Sequence, residues 1–543
     1  MRSLTAKTGF GFRGMCASLM RAYTENWMLT APQGNPAMLD MFRERDKKPY
    51  RDLLPWSGEF VGKYLTGAWY LYKATGDMRL KETALGVLYQ LLDCIDDGYL
   101  GCFSRECRLT GAFSQTPDVS GATWDAWGHY HAMYAMYLWH VETGDKKIFS
   151  ALEEVAGLFL RIFYGKGQKR LVEIGSTEMN LSVLHAFALL HKKTGRPEYL
   201  TFIRRMVEDT QMPGAGDYVR SIEAGLEFYQ CAKPRWESLH IIMGLLDAAD
   251  CLQEPRYEKA AYAIFDSILK TDVHNTGGFS TREQAVGNPF EPGAIELCCV
   301  IAYNALATQI FLRTGRADIA RFLEISYYNA IMGSYSPSGR WSTYDTPMDG
   351  AKKSNCQDIV FQARPGSPEL NCCSANSGRG LGQLSAWAFT REEDRIYINF
   401  FEDCDFVSDD GVRVTISGGY PTNNCVHISV QAEEALRVFV RMEDAYREIG
   451  RDADVTFDHN PKCLAGGGIY EGKACVYVGP ILFGADLRDN NGPLEELKLE
   501  RQALSGAEMC AMPDGRRVLK MDGLRLTDFY HLGSSGSAYR TWL

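Results

Sequence analysis

One kind of turn recurs along much of this chain, and it constrains how the segments on either side of it can fold. The turn reads Thr-Gly-Asp at residues 75–77 and 143–145, and Thr-Gly-Arg at 194–196 and 314–316. Each turn follows an apolar segment with three- and four-residue spacing and precedes another, a pattern typical of helices. Glycine suits the position just after a helix, where a positive φ ends it. The sequence therefore predicts helical hairpins from about residue 55 to about residue 330.

The hairpins repeat at intervals of roughly 50 to 70 residues, and residues 252–257 occupy an equivalent place in the series. Such repetition predicts either a solenoid or a closed ring of hairpins, an α/α toroid. We favour the toroid because it gathers the starts of its inner helices and their loops at one mouth. Two long irregular loops, at residues 275–296 and 345–371, are suited to line a pocket there.

The pattern changes after about residue 390, where short segments alternate polar and apolar residues with period two. These predicted strands cover residues 395–401, 412–416, 426–430 and 436–440, and an apolar strand pair covers 475–483. Short strands separated by Gly and Asn predict a β-sandwich. The predicted fold is a multidomain α and β protein, with an α/α-barrel catalytic domain at residues 1–390 packed tightly on a β-sandwich domain at 391–543.

Charge and hydropathy argue against two classes of partner. Net charge is −10 and no basic stripe is visible, which argues against nucleic-acid binding. No uninterrupted apolar run approaches the ~18 to 20 residues that span a bilayer, so no membrane partner is expected. Lys7, Arg13 and Arg21 interrupt any N-terminal signal core. We therefore expect a cytoplasmic protein, whose sixteen cysteines are free thiols or metal ligands in place of disulfides.

Two short cysteine motifs lie in the middle of the chain, Glu-Leu-Cys-Cys at 296–299 and Asn-Cys-Cys-Ser-Ala-Asn at 371–376. Thiolates and carboxylates are ligands that zinc accepts. Adjacent side chains on a regular strand point to opposite faces, so we expect Cys372 and Cys373 to reach one metal from a bent loop. The spacing differs from the CxxC…CxxC of a zinc ribbon. It leaves open two interpretations, a zinc site with Glu296 and Cys298 or a set of buried core thiols.

A carboxylic acid is needed if the chain cleaves glycosidic bonds, because the leaving oxygen must be protonated. Glu283 follows Gly277-Gly278 in a loop between helices and is a candidate proton donor. Glu291 is close in sequence and is the alternative, and Arg282 could pair with either carboxylate.

The order of these motifs resembles glycoside hydrolase family 127, which contains β-L-arabinofuranosidases and related furanoside hydrolases. The resemblance rests on Gly-Gly…Glu, then Glu-x-Cys, then Tyr344-x-x-Pro347, then Cys-Cys-x-x-Asn-x-x-Arg at 372–379. It covers most of the chain, including a Trp-Gly-His helix start at 127–129. The Cys-Cys motif with its upstream Glu-x-Cys is specific, whereas the turns are not. The resemblance implies an α/α barrel with β-sandwich parts.

The resemblance also implies the chemistry of the site, residue by residue. It implies zinc as cofactor, bound by Glu296, Cys298, Cys372 and Cys373. It makes the first cysteine of the pair, Cys372, the nucleophile. It makes Glu283, as the best match between Gly-Gly and Glu-x-Cys, the catalytic acid and base.

Substrate contacts are implied for Tyr344 and His129, and two further positions depart from the family pattern. Ser176 and Glu237 stand where the family has substrate-binding histidines, and Ser-Ala at 374–375 replaces the prolines that usually follow the cysteine pair. A neutral hydroxyl and an anion in place of two imidazoles suggest altered sugar specificity, with acidic sugars disfavoured near Glu237.

The sequence thus indicates a zinc-dependent, retaining exo-glycosidase that hydrolyses a terminal furanoside, with β-L-arabinofuranoside as the first choice. Its partner is an oligosaccharide or glycoside substrate, and a homodimer is one candidate oligomeric state. Two alternatives remain open. A sugar epimerase or isomerase on the same α/α barrel would need a pair of general bases and no metal. A non-catalytic carbohydrate-binding protein would bind sugar without turnover.

Overall fold

The computed structural model describes all residues except 1, 4–8, 114–120, 166, 354–370 and 522. The predicted loop at 345–371 lies mostly outside the described residues. The described part is helical up to Trp387 and rich in β-strands from Phe389 onward.

Seventeen α-helices are present in the described part of the chain. They are α1 (Met15–Tyr23), α2 (Ala31–Gly34), α3 (Ala37–Arg43), α4 (Glu59–Thr75), α5 (Met78–Leu92), α6 (Asp125–Thr143), α7 (Lys146–Phe163), α8 (Thr177–Asn180), α9 (Val183–Thr194), α10 (Pro197–Asp209), α11 (Tyr218–Glu223), α12 (Ser238–Leu252), α13 (Pro255–Thr271), α14 (Leu297–Thr314), α15 (Ala317–Ser326), α16 (Cys372–Gly382) and α17 (Leu384–Trp387).

The predicted turns join consecutive helices, as expected. Gly76, with φ +69°, ends α4, and the glycines at 144, 195 and 315 end α6, α9 and α14 in the same left-handed conformation. The fifth turn uses Gln253 with φ +56°, a position where a side chain costs about 1 kcal/mol or more. Asp77 then caps α5 by accepting the N–H of Arg79 at 2.9 Å. The five hairpins predicted from the turns are confirmed.

Six of these helices, here called the ring helices, contact one another in a closed order. The contacts join α4 to α6, α6 to α9, α9 to α12, α12 to α14, α14 to α16 and α16 to α4. The ring helices α4, α6, α12, α14 and α16 are buried over most of their residues. Their hairpin partners α7, α10 and α13 bury one face only, as expected for helices between a core and solvent.

The closest ring contact, between α4 and α16, depends on small residues. Gly382 of α16 lies against Tyr70 and Leu71 of α4, where an added Cβ would overlap the backbone. Gly67 and Gly378 meet in the same way one turn away. Because these glycines allow backbone approach, α16 holds its first residues at a defined distance from α4.

Helix α14 corrects the expectation that no apolar stretch approaches the length of a membrane span. Its residues Leu297–Thr314 are long and apolar enough to cross a membrane by length and composition. However, 78% of that stretch is buried inside the protein. The helix is apolar because it is a ring helix, and most of its surface packs against other parts of the protein.

Seventeen strands are described. They are β1 (Arg2–Ser3), β2 (Gly11–Phe12), β3 (Phe389–Glu392), β4 (Arg395–Ile398), β5 (Cys404–Val407), β6 (Arg413–Ser417), β7 (Cys425–Gln431), β8 (Arg437–Met442), β9 (Ala445–Ile449), β10 (Asp452–Thr456), β11 (Lys462–Ala465), β12 (Ala474–Val478), β13 (Ile481–Asp486), β14 (Glu508–Ala511), β15 (Arg517–Met521), β16 (Leu524–Asp528) and β17 (Tyr539–Arg540).

These strands form three sheets, in the orders β1-β3-β4-β8-β9, β10-β7-β6-β5-β2 and β11-β12-β13-β16-β15-β14, with β17 beside β13. Every strand predicted from period-two alternation is present, and in β7 the residues Val426, Ile428 and Val430 are buried as that period requires. The predicted division after residue 390 falls inside β3, and the N-terminal strands β1 and β2 belong to the sheets.

Polar contacts join the helical part to the sheets. Asn329, just after α15, accepts the Leu482 N–H of β13 and donates to the Pro480 carbonyl, both at 2.9 Å. Arg441 of β8 forms a buried ion pair with Glu324 of α15, whose other oxygen accepts from the Tyr420 hydroxyl at 3.0 Å. The expected tight packing of the two parts is confirmed at these contacts.

Candidate active site

Polar side chains gather at the starts of the ring helices. Glu59 opens α4, Glu237 precedes α12, Glu296 precedes α14 and Cys372 opens α16. All four are buried, which is rare for acids without a partner. The starts of different hairpins therefore supply one site, as the ring interpretation predicted.

Four of the predicted residues form one compact cluster, Glu296, Cys298, Cys372 and Cys373, called here the thiol cluster. One ligand atom from each lies within 4.8 Å of the others. Glu296 Oε1 is 3.4 Å from the Sγ atoms of both Cys372 and Cys373, which are 3.8 Å apart. A tetrahedral ion with zinc–sulfur bonds of about 2.3 Å separates its ligand atoms by roughly 3.5 to 3.8 Å. The donor set and its spacing fit zinc.

The cysteine pair lies in a helix, not in the bent loop that the sequence suggested. Cys372 and Cys373 are the first two residues of α16. The preceding Asn371 accepts the Ser374 N–H through its side chain, and the Ser374 hydroxyl accepts the Asn371 N–H, both at 2.8 Å. This capping box explains the serine where prolines were expected. Successive side chains on a helix are only about 100° apart, so both sulfurs can face one ion.

Helix starts also favour negative charge at these sulfurs. Cys298, Cys372 and Cys373 lie in the first turns of α14 and α16, where unpaired N–H groups and the helix dipole stabilise thiolates. Burial opposes charge on Cys298, but hydrogen bonds from Cys372 and Cys373 and the Lys63 ammonium lower the pKa of Cys298 well below its usual value. These contacts favour the thiolate form of Cys298.

A fourth thiol, Cys299, contacts the far side of the Glu296 carboxylate. Cys299 Sγ lies 3.4 Å from Glu296 Oε2, the oxygen that does not face the cysteine pair. Burial raises the pKa of Cys299 well above its usual value, and the Glu296 charge raises it further. Cys299 is therefore a protonated donor that orients Glu296.

Glu283 lies beside Tyr344. Its Oε1 accepts a hydrogen bond from the Tyr344 hydroxyl, and its Oε2 accepts from Arg235 Nη2 at 2.7 Å. The Tyr344 carbonyl accepts the Leu297 N–H at 3.0 Å, which ties this pair to the start of α14. Burial raises the pKa of Tyr344, and the charges of Glu296, Cys372 and Glu283 raise it further. Tyr344 thus lies between Glu283 and the thiol cluster.

The alternative acid, Glu291, has a different environment. Glu291 Oε1 is 4.0 Å from Arg282 Nη1, and the Glu291 side chain is 37% exposed. Glu283, by comparison, is 18% exposed and lines a cleft of about 410 Å³ together with Tyr344. Ligand pockets for small molecules begin at about 300 Å³. The geometry therefore favours Glu283 as the carboxylate that meets a sugar.

Glu237 is paired, which changes the electrostatic argument made from the sequence. Arg235 donates to Glu237 through Nε at 3.0 Å and Nη2 at 2.7 Å, and Nη2 also reaches Glu283. Burial raises the pKa of Glu237, while the Arg235 charge opposes that shift. Arg235 offsets the charge of Glu237 but is shared with Glu283, so the disfavouring of acidic sugars near Glu237 stays a prediction.

Comparison with known proteins identifies the family of this site. Among curated protein sequences none matches this chain. Residues 14–386 match the family described as "Beta-L-arabinofuranosidase, GH127 catalytic domain". The chain belongs to this family. It is therefore a glycoside hydrolase, and the resemblance seen in the sequence is confirmed.

Solved structures of GH127 proteins share the fold. A GH127 β-arabinofuranosidase superposes with a TM-score of 0.78 at 18% identity, covering 100% of this chain and 97% of that one. A GH127 β-L-arabinofuranosidase from Geobacillus stearothermophilus T6 superposes with a TM-score of 0.76 at 14% identity, covering 98% of this chain and 99% of that one. At these identities the likeness establishes the fold and not the substrate.

Two residues predicted to contact substrate in this GH127 chain have other partners. His129 is fully buried; its Nδ1 bonds to the Asp125 carbonyl at 2.8 Å and its Nε2 accepts the Leu100 N–H at 3.0 Å. These contacts give His129 a structural role in place of the predicted sugar contact. Ser176 donates its hydroxyl to the Gly121 carbonyl at 2.7 Å, and no contact described for it reaches the thiol cluster.

Two other histidines near the starts of ring helices have ring nitrogens available for a ligand. His131 and His240 are buried, pack edge-on against Trp127, and each has an Nε2 atom with no hydrogen-bond partner among the described residues. Burial lowers the pKa of both rings well below the usual value. Neutral imidazoles of this kind can bind sugar hydroxyls. The resemblance had assigned the substrate contact to His129 alone.

A buried ion pair beside the cluster was missed altogether. Lys63 Nζ is 2.9 Å from Glu59 Oε1 and 3.8 Å from Cys298 Sγ, and its side chain is 1% exposed. Glu59 also accepts from the Trp127 indole N–H. Both residues stand at the apolar start of α4, four residues apart. An i,i+4 pair on a face that should be buried was the signal that could have found them.

Proposed function

We propose that this GH127 protein is a retaining exo-glycosidase that removes terminal β-L-arabinofuranose, with Cys372 as nucleophile and Glu283 as acid and base. The observation that carries the proposal is the thiol cluster beside the Glu283–Tyr344 pair, with the Tyr344 carbonyl bonded to the first residue of α14. A two-step displacement needs a nucleophile and a proton donor close together, and Tyr344, which contacts Glu283, also lies close enough to Glu296 and Cys372 for their charges to raise its pKa.

Cys372 is the best placed of the three thiols in the cluster. It is 7% exposed, whereas Cys298 and Cys373 are 0% exposed. A nucleophile must reach the anomeric carbon, which favours the one sulfur of the three whose residue is partly exposed. The other residues of the cluster would hold the metal.

Zinc is the proposed cofactor, bound by Glu296, Cys298, Cys372 and Cys373. When bound, zinc would keep the thiols deprotonated at neutral pH, since coordination removes their protons. Cys372 would then need no separate base, unlike an isolated thiol, which is mostly protonated at neutral pH.

The proposed reaction has two displacements. The Cys372 sulfur attacks the anomeric carbon as the bond to the leaving oxygen breaks, and Glu283 gives that oxygen its proton. Water then attacks the same carbon, Glu283 accepts its proton, and the carbon–sulfur bond breaks to return the Cys372 thiolate. Two inversions retain the anomeric configuration.

Membership of the GH127 family favours a hydrolase over the epimerase alternative. Measured turnover would distinguish a hydrolase from a non-catalytic carbohydrate-binding protein. A panel of p-nitrophenyl furanosides and pyranosides, with metal analysis of the same sample and proton NMR of the first product, tests the proposal. We expect release from the β-L-arabinofuranoside, one zinc per chain, and a product of retained configuration. An inverted first product, or turnover confined to pyranosides, would contradict it.

The proposal extends to the architecture. We infer an α/α toroid at residues 1–390 and a β-sandwich at residues 391–543, in a cytoplasmic enzyme. The closed order of contacts among the ring helices supports the toroid. The alternating burial of strands such as β6 and β7 supports sheets packed face to face.

Zinc removal is expected to lower thermal stability because the thiol cluster links α14 to α16. A ligand present at 100 times its dissociation constant stabilises a protein by about 2.7 kcal/mol. For a chain of this size we expect chelation to lower the Tm by a few degrees, reversed by added zinc. Differential scanning fluorimetry measures this shift. Cys373→Ser is the control: it should lose activity and zinc, and its Tm should not respond to the chelator.

Arg235 is expected to stabilise the fold mainly by pairing with Glu237. Arg235→Met leaves the Glu237 carboxylate, 1% exposed, without its partner, which we expect to cost about 3–5 kcal/mol in the free energy of unfolding. Arg235→Met combined with Glu237→Leu removes both charges and should recover most of that loss. Urea denaturation of the three proteins measures the difference. Equal destabilisation of the single and double variants would contradict the pairing argument.

A further inference from the structure

The thiol cluster carries more negative charge than a zinc ion balances. Three thiolates and one carboxylate bring four negative charges, and zinc brings two positive charges. All four side chains are buried, between 0% and 7% exposed. Uncompensated charge is costly in such a place, so groups around the cluster must offset it.

Lys63 supplies a positive charge at the cluster. Its ammonium lies 3.8 Å from Cys298 Sγ and 2.9 Å from Glu59 Oε1, and the ring centroids of Trp127 and Trp236 lie 5.6 Å and 5.1 Å from its Nζ. These partners leave the ammonium little freedom. Its position is therefore built into the start of α4.

Asn376 donates to the same sulfur from another helix. It lies one turn after Cys372 on α16, and its Nδ2 is 3.6 Å from Cys298 Sγ. Cys298 thus receives an N–H donor from α4 and another from α16. For the sulfurs of Cys372 and Cys373, the hydrogen bonds described are with Glu296 and with cysteines of the cluster.

This asymmetry has a chemical consequence. Charge-assisted N–H donors withdraw electron density from a thiolate, which makes it a weaker nucleophile and a more permanent ligand. Cys298 has two such donors. Cys372, with neither, keeps more of the charge needed to attack carbon.

We propose that Lys63 is a positioning residue of the metal centre: with Asn376 it holds Cys298 as the spectator thiolate by placing an ammonium, itself fixed by Glu59, against that sulfur. The inference rests on the proposed zinc–cysteine function. Lys63 acts through Cys298, and Glu59 orients the Lys63 ammonium toward that sulfur.

The test measures metal binding to the purified full chain, with zinc in competition with a chromophoric chelator and with cobalt(II) as a spectroscopic substitute. Lys63→Met keeps the length and packing of the side chain and removes its charge. We expect zinc affinity to fall about 10- to 100-fold, as for other residues that contact metal ligands. We also expect the thiolate-to-cobalt charge-transfer band to move to lower energy, because the sulfur becomes more electron-rich.

Two further variants keep the test decisive. The double variant Glu59→Gln with Lys63→Met avoids leaving a lone buried carboxylate and should show the same loss and the same band shift. Lys73→Met is the matched control, since Lys73 is on the same helix and pairs with Glu142 at 3.0 Å; its zinc affinity and cobalt spectrum should equal those of the unaltered protein.

The outcomes separate the inference from the proposed function. If the unaltered protein binds zinc and cobalt while both Lys63 variants retain its affinity and band position, the role of Lys63 is overturned and the zinc site stands. If the unaltered protein binds neither metal, the zinc part of the proposed function fails and the role of Lys63 fails with it.

Discussion

Replacing Cys372 by serine is expected to lower kcat/KM at least about 10³-fold while the fold is retained. A serine hydroxyl stays protonated at neutral pH and is a poor ligand for zinc in a site built from cysteine thiolates. The side chain loses little volume, and Cys372 begins a helix whose start is capped by Asn371 and Ser374. The loss is therefore expected in the chemistry and not in the folding of α16.

Mass spectrometry identifies the nucleophile directly. A furanose-shaped epoxide should add its mass to the peptide that contains Cys372, and the Cys372→Ser protein should remain unlabelled. Cys475→Ser is the matched control, because Cys475 is another buried thiol but lies in β12; it should keep activity and labelling. Labelling of a carboxylate, or full activity in zinc-free Cys372→Ser protein, would end the hypothesis.

The sequence was most informative where local chemistry decides the structure. A left-handed residue must follow each inner helix of a hairpin, so glycine at 76, 144, 195 and 315 marked four of the five turns. The fifth, at Gln253, was recognised only by its spacing and by Pro255 at the start of α13. Strands such as β7 were predicted because one face is buried and the other exposed, which imposes period two.

The site was harder to predict because it is built from segments far apart in the chain. The cluster residues were found through a family motif, and spacing alone left core thiols as an alternative. Lys63 and Arg235 gave no motif at all. Lys63 acquires its role because α4 approaches Cys298 of α14, and Arg235 acquires its role because the loop before α12 approaches Glu283. Contacts between segments so far apart in the chain leave no periodic signal in the sequence.

His129 illustrates the same limit in the other direction. The motif Trp-Gly-His marked a helix start correctly, but rotation of about 100° per residue decides which histidine faces the ring interior. His129 faces Leu100 and Phe159, whereas His131 faces Trp127 and His240. The sequence could place both histidines on α6 and could not assign their faces without knowing the neighbours of that helix.

Glu283→Gln is expected to lower the rate for poor leaving groups by about 10²- to 10⁴-fold, the usual contribution of general acid catalysis. The single carbonyl oxygen of glutamine can accept the hydrogen bond from Arg235, and its NH2 group can donate to the Tyr344 hydroxyl, but glutamine cannot give a proton to the leaving oxygen. A nitrophenolate leaves without protonation, so its release should be much less affected in the first step. For aryl substrates the second step should become limiting, because the base that activates water is also lost.

Leaving-group dependence and azide rescue measure these two roles separately. Added azide needs no base, so it should restore turnover of the aryl furanoside by Glu283→Gln and give a glycosyl azide of retained configuration. Glu291→Gln is the control from the same loop. The Glu291 carboxylate lies near Arg282 and is more exposed than that of Glu283, so the rates of this variant should stay near those of the unaltered enzyme.

An equal loss for aryl and alkyl furanosides in Glu283→Gln, with no rescue by azide, would reduce Glu283 to a structural partner of Arg235. A large loss in Glu291→Gln together with azide rescue would move the acid to Glu291, and the cleft beside Tyr344 would then not be where the glycosidic bond is broken.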